Sequence, residues 1–249
     1  MIERFTYWIK FFILYRNWYE ILYSRIKNIN IQRVIFNNGL IIKSSTKSPL
    51  SVIVDEIFLL ERYIYKDKVD IQKNDIVVDI GAHVGVFSLF ALKKGAFKVY
   101  AYEPTLSNIK YIKENCNKYK NIEIRNYALS DSNKPRNLHL NISDGGNTIF
   151  ETKSKNIKKV NSITLTSIFK DEKLNKINFL KIDCEGAEGL IFMTTPVNVL
   201  KNIDKISMEY HDNVSPMKHN EIKNKLEKAG FKIKLNQQDK VFGHIYAWK

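Results

Sequence analysis

The chain has 249 residues, 44% hydrophobic and 27% charged, which is enough apolar material for a full core and too much for a disordered chain. A formal net charge of +14 calls for an anionic partner or a solvated basic surface. The lysines are scattered along the chain rather than gathered into arginine and aromatic stripes, so nucleic acid is not expected as a partner. Two cysteines, Cys116 and Cys184, lack metal-ligand spacing and read as reduced thiols of a cytoplasmic protein, which excludes a disulfide scaffold.

From Phe5, the apolar residues Phe5, Trp8, Ile9, Phe12, Tyr15, Tyr19, Leu22 and Ile26 recur near helical spacing, so one amphipathic aromatic helix is expected within residues 1–27. Its longest unbroken apolar run, Phe11 to Tyr15, is far short of the roughly 20 residues a bilayer span needs, and no small-residue cleavage site follows. Two readings stay open. One is a peripheral membrane anchor, with Trp8 and Trp18 at the interface and Arg4, Lys10, Arg16 and Arg25 beside them. The other, favoured because no long polar face is available, is a cap over the cofactor site or the sheet edge. Ile31–Phe36 and Leu40–Lys43 flank Asn37-Asn38-Gly39 and read as a hairpin, and Ser51–Lys66 reads as a helix. Residues 1–66 are thus expected to form an N-terminal extension, and residues 67–249 the main domain.

Five runs read as sheet strands: Ile76–Ile80, Lys98–Tyr102, Ile122–Tyr127, Ile177–Asp183 and Ile203–Tyr210. Helices are expected at Val84–Lys93, Thr105–Lys118 and Pro216–Ala229, followed by a last pair of strands, Phe231–Leu235 and Val241–Ala247. Alternation of strand and helix implies an α/β fold with a mostly parallel, seven-stranded, Rossmann-like sheet, and the closing pair implies one antiparallel strand. An insertion follows Asp131, with strand-like Arg136–Ile142 and a turn at Ser143–Asn147.

The most informative segment is Val77-Val78-Asp79-Ile80-Gly81-Ala82-His83-Val84-Gly85, a strand entering a glycine-containing turn and then a helix. Gly81 and Gly85 let backbone lie against a ligand. Glu103, at the tip of the next strand about 20 residues on, is placed to accept the two hydroxyls of a ribose. The order G-x-x-x-G, with His83 where a dinucleotide site has its middle glycine, departs from G-x-G-x-x-G. An acid at Asp79 would repel a pyrophosphate and attract a sulfonium or an ammonium, which favours S-adenosylmethionine over a nicotinamide or flavin dinucleotide.

Together with Asn126–Asp131, Leu180–Gly189 and Ile206–Asp212, this segment resembles the FkbM-type S-adenosylmethionine-dependent methyltransferases. The run Ile182-Asp183-Cys184-Glu185-Gly186-Ala187-Glu188 is the most specific part of the likeness, which spans Leu60 to Tyr246. The resemblance implies a class I methyltransferase fold and methylation of a hydroxyl on a sugar, glycan or natural product. One departure is visible: Thr166 stands where relatives often carry Asp.

With ligands at the carboxyl ends of the strands, roles can be assigned. Asp79 is expected to face the methionyl amine or sulfonium, Gly81, Ala82, His83 and Gly85 to run along the amino-acid part, and Glu103 to hold the ribose. Tyr127-Ala128-Leu129 is expected to line the adenine, with a backbone N–H bonded to its ring. Asp183 or Glu185 is expected to act as general base toward the acceptor hydroxyl, and Glu188 to hold the following helix. In a competing reading, Asp183 and Glu209, with His211 or Asp212, hold a Mg²⁺ ion. Two other functions stay open: a non-catalytic S-adenosylmethionine-binding partner of a membrane glycan-assembly complex, and a dinucleotide-dependent oxidoreductase.

Overall fold

The computed structural model describes residues 2–140, 146–150 and 155–249. The strands are β1 (Arg33–Ile35), β2 (Ile41–Lys43), β3 (Ile76–Ile80), β4 (Lys98–Tyr102), β5 (Ile122–Arg125), β6 (Ala128–Leu129), β7 (Arg136–His139), β8 (Ile157–Val160), β9 (Ser162–Ile163), β10 (Ile177–Ile182), β11 (Ile203–His211), β12 (Lys232–Gln237) and β13 (Phe242–Trp248). The helices are α1 (Ile2–Leu14), α2 (Trp18–Lys27), α3 (Leu50–Val54), α4 (Val86–Lys93), α5 (Leu106–Asn115), α6 (Leu165–Asp171), α7 (Glu188–Thr194), α8 (Val197–Leu200) and α9 (His219–Lys228).

Seven strands form one sheet in the order β12-β13-β11-β10-β3-β4-β5. The run from β11 through β10, β3 and β4 to β5 is parallel, and β13 lies antiparallel between β11 and β12. The expected fold class is therefore present. Chain order runs outward from β3 to β4 and β5, then returns to β10 on the other side of β3. That reversal opens a crevice at the strand ends.

Period-2 alternation sends Val78 and Ile80 of β3, with Leu180 and Ile182 of β10, into one apolar layer that contains Ile222 and Leu226 of α9. Val77 and Phe179 face the other layer, which contains Phe87 and Leu89 of α4 and, continuous with them, Phe11, Tyr15 and Ile21 from the N-terminal segment. Both faces of the sheet are thus covered, as a parallel sheet requires.

Three sequence expectations need correcting. The single N-terminal helix is two helices, because the backbone between them is recruited by the hairpin. Arg16 N–H donates to Ile35 O, and the Asn17 side chain accepts from Ile35 N–H while donating to Arg33 O. The helix expected at Ser51–Lys66 stops early: α3 runs into a π-helical turn, Asp55–Leu59, and Glu61 with φ +47° turns the chain away. The third sheet strand ends at Arg125, and Ala128–Leu129 pairs instead with β9, because the Asn126 side chain is drawn to Glu103 O and Pro104 O. In the insertion, β7 pairs with β8, and part of the expected turn, residues 143–145, lies outside the described residues.

The N-terminal helices are tied to the π-helical turn of the same extension by one carboxylate. Asp55 accepts from Tyr7 Oη at 2.6 Å, from Tyr15 Oη at 2.7 Å and from the Arg25 guanidinium. The inner face of α1 and α2 joins the apolar layer of Phe87 and Leu89 through Phe11, Tyr15 and Ile21. Among the described residues, no helix is long and apolar enough to cross a membrane.

Candidate active site

The crevice contains a cavity of about 440 Å³. Its walls carry Gly81, Ala82 and His83 after β3, Glu103 after β4, Tyr127 and Ala128 before and within β6, Asp183 and Glu185 after β10, and Glu209 of β11. Asp79 and Gly85 are not on the wall.

The turn after β3 is built around Glu103. Gly81 and Ala82 N–H both donate to Tyr102 O at 3.1 and 3.0 Å, and His83 N–H donates to Glu103 Oε2 at 2.9 Å. His83 reaches this position with φ +51°, a left-handed conformation costly for a side chain with a Cβ. Gly81, with φ +72°, passes so close to β10 that a Cβ there would lie 1.8 Å from Asp183 O. A pyrophosphate cradle needs free N–H groups aimed at the anion. Here three successive amides are spent on strand β4 and its terminal acid, which counts against a dinucleotide.

Glu103 Oε1 accepts from Thr105 N–H at 2.9 Å and Asn108 Nδ2 at 3.2 Å. Burial pushes its carboxyl up to about 7, against the pull of these donors. Asn108, in the first turns of α5, was not singled out from sequence. Its signal is an amide that follows an acid at a strand tip. Ala128 lines the cavity, but its N–H donates to Asn161 O at 2.9 Å, so that amide is not available to an adenine ring.

Asp79 sits behind the wall for a reason of register. It lies on the face of β3 that looks toward α4, where it accepts from Ser88 Oγ at 2.7 Å, and its partner across the sheet is Lys181. The two charges are 3.2 Å apart, with side chains 0% and 4% exposed. Lys181 Nζ also donates to Gly81 O at 2.8 Å and Ile80 O at 3.2 Å, stands 3.9 Å from Asp183 Oδ2, and lies over the Tyr63 ring at 5.4 Å. Burial pulls the ammonium down, but Asp79 and Asp183 more than offset it and hold the pKa above the usual lysine value. Lys181 thus clamps the turn after β3 to β10. Its sequence signal is a lone cation inside the apolar strand Ile177–Ile182.

One step further along the same face lies an acidic group. Asp183 accepts from Tyr63 Oη at 2.7 Å. Burial raises its carboxyl, and Lys181, Tyr63 and two histidines overcome that to leave it below the usual range. Tyr63 comes from the N-terminal extension and was also missed. Glu185 has φ +54°, lies 3.6 Å from His211 Nε2, and is pushed up to about 8 by burial and by Asp183. Glu209 is pushed up to about 9 by burial and by Asp183, and lies 3.8 Å from Arg62 and 3.6 Å from His244. Burial takes His244 down to about 4, so it is neutral. His211 is driven up to about 9: burial lowers it, but Glu188 and Glu185 outweigh burial.

Asp183 and Glu209 therefore stand as a charged and a protonated carboxyl sharing one site. Among the described residues, no group of three or more His, Cys, Asp or Glu is arranged to hold a metal ion. Glu188, fully buried, accepts from Cys184 N–H at 3.1 Å and Gly186 N–H at 3.2 Å and so closes the turn that precedes its own helix. Burial, with Glu188 beside it, drives the Cys184 thiol well up, which leaves it uncharged. Thr166 is exposed on α6 and is not on the cavity wall.

The description "Methyltransferase FkbM domain" fits residues 79–233. Among solved structures, the methyltransferase FkbM of Methylobacillus flagellatus KT is 13% identical with a TM-score of 0.51, covering 78% of this chain and 48% of that one. The chain thus spans about half the length of that protein. Precorrin-6y C5,15-methyltransferase of Geobacter metallireducens GS-15 is 13% identical over 83% of this chain and 90% of that one, with a TM-score of 0.42. Fibrillarin of Aeropyrum pernix, solved with S-adenosyl-L-methionine, is 11% identical over 79% of this chain and 74% of that one, with a TM-score of 0.44. A search of curated proteins returns no match. With the family's domain covering well over half its length, on a sheet of the order described, the chain belongs to the FkbM methyltransferase family.

Proposed function

We propose that the chain methylates a hydroxyl oxygen of a sugar, glycan or natural product. The observation that carries this reading is the cluster of Asp183, Glu185 and Glu209 on the cavity wall, beyond the turn built on Glu103. The residues present fit S-adenosylmethionine. Glu103 offers an acceptor to the ribose hydroxyls, Tyr127, Ala128 and Leu129 flank the adenine side, and the charged carboxylate of Asp183 suits a ligand with an ammonium and a sulfonium. Gly81, Ala82 and His83 line the amino-acid part, while Asp79 acts from behind through Lys181, and Gly85 supports the turn.

When bound, the cofactor supplies an electrophilic methyl group. The chain must orient a hydroxyl and take its proton, since an alcohol is a weak nucleophile. Asp183 is anionic but a weak base, held low by Lys181 and Tyr63. It suits the orientation of a hydroxyl or of an adjacent one. Glu185, pushed up to about 8, has the basicity to accept the proton, with His211 beside it to balance the charge.

The test is incubation of the full chain with methyl-labelled S-adenosylmethionine and a panel of sugars, glycans and polyols. The expected product carries label in an O-methyl ether, and Glu185→Gln loses transfer while binding S-adenosylhomocysteine normally. Label on nitrogen or carbon only would overturn the hydroxyl reading. Retention of biological activity by transfer-dead variants would favour a non-catalytic partner role.

A further inference from the structure

The N-terminal helices have two apolar faces, and the domain uses only one. Inward, Tyr7, Phe11, Leu14 and Tyr15 pack toward the core and Asp55. Outward, Phe5, Trp8, Ile9, Phe12 and Ile13 of α1 recur at i, i+3, i+4, i+7 and i+8, a single stripe down the helix. Phe5 and Ile13 are each 69% exposed. The stripe continues onto α2: the Phe12 ring meets Trp8 at 6.0 Å and Trp18 at 5.2 Å, and Trp18 meets Tyr19 at 6.0 Å. A contiguous apolar patch of this kind marks a docking surface rather than scattered exposure.

Charge selects its occupant. Lys10 and Arg16 are exposed beside the stripe and form no ion pair among the described residues, and the whole chain carries +14. A second copy meeting the patch across a two-fold axis would set like rims against each other. A bilayer with anionic headgroups instead offers opposite charge to the rim and an interfacial layer to indole and phenyl rings.

We propose that the outer face of α1 and α2 docks the protein on an anionic membrane surface, with Trp8 and Trp18 at the headgroup level. The inference does not depend on which acceptor is methylated. The test uses the full chain and vesicles of phosphatidylcholine with and without phosphatidylglycerol, read by co-sedimentation and tryptophan emission. The expected result is binding to the anionic vesicles with a blue-shifted emission, weakened by salt. The combined variant Phe5→Ser, Ile9→Ser, Ile13→Ser changes only exposed positions. It is expected to bind at least tenfold more weakly while retaining its thermal transition and S-adenosylhomocysteine affinity. Lys10→Glu with Arg16→Glu is expected to remove the preference for phosphatidylglycerol. Unchanged vesicle binding in the triple variant, or no binding by folded protein, overturns the proposal. So does a dimer in light scattering that the same triple variant dissociates without any vesicle binding, which would assign the face to a second copy.

Discussion

Replacing Glu103 by alanine tests the cofactor site most directly. The carboxylate already accepts from His83 N–H, Thr105 N–H and the Asn108 amide, and it faces the cavity with acceptor capacity left for ribose. Three of the roughly four acceptor positions of the carboxylate are thus taken, and a hydrogen bond to a charged group contributes about 1.5–3 kcal/mol, so the one ribose contact left to lose comes to about 1.5–3 kcal/mol. At about 1.4 kcal/mol per decade, S-adenosylhomocysteine should bind roughly 10- to 10²-fold more weakly to Glu103→Ala. Calorimetric titration across pH adds a sharper signature. The free carboxyl titrates at about 7, and ribose hydroxyls favour its charged form. Wild-type affinity should therefore fall as pH drops below about 7, by at most about tenfold per unit. Glu103→Gln should be pH-independent over that range and weak, because its NH₂ group must face one of the protein's own donors. An alanine variant that binds within threefold of wild type, or a flat wild-type pH profile, refutes the assignment.

Other outcomes follow from the same geometry. Lys181→Met strands the fully buried Asp79 without its cation and should cost about 3–5 kcal/mol in denaturant unfolding, with part regained when Asp79→Asn is added; a variant as stable as wild type refutes the clamp. Gly81→Ala should fail to fold or lose the cofactor, since its Cβ has no room against Asp183 O and the backbone is left-handed. Methyl transfer should rise with pH as Glu185 loses its proton near 8 and then level, and Glu185→Gln should abolish that limb; its persistence assigns the proton acceptor elsewhere. Tyr63→Phe removes a hydrogen bond that holds Asp183 low, so the Asp183 carboxyl should titrate at higher pH in carboxyl-detected NMR, with no shift if Tyr63 only fills space.

Strand positions and the acids at their tips were legible because each is a local pattern: an apolar β-branched run that breaks into charge. Asp79 shows the limit of that logic. Its place at a strand end suggested a ligand, yet it alternates with Val78 and Ile80, and in a sheet covered on both faces either direction leads into packing. Lys181 was overlooked as an exception in an apolar strand, although a buried cation needs a partner and Asp79 was the acid in want of one. Tyr63 reaches Asp183 across 120 residues of sequence, a juxtaposition made by the fold and by no local spacing. The break between α1 and α2 was invisible for a similar reason. It is made by hairpin backbone that claims the amides of residues that would otherwise extend the helix.

Glu103 has one more consequence. The carboxylate that would grip the ribose also staples the turn that would border the methionyl part, so the two halves of the ligand are read by one hydrogen-bonded unit. Adenosine and methionine offered as separate fragments should then assist one another's binding, and the coupling should vanish with Glu103. Recognition of this kind is cooperative within a single small molecule, and neither fragment alone reports the affinity of the whole.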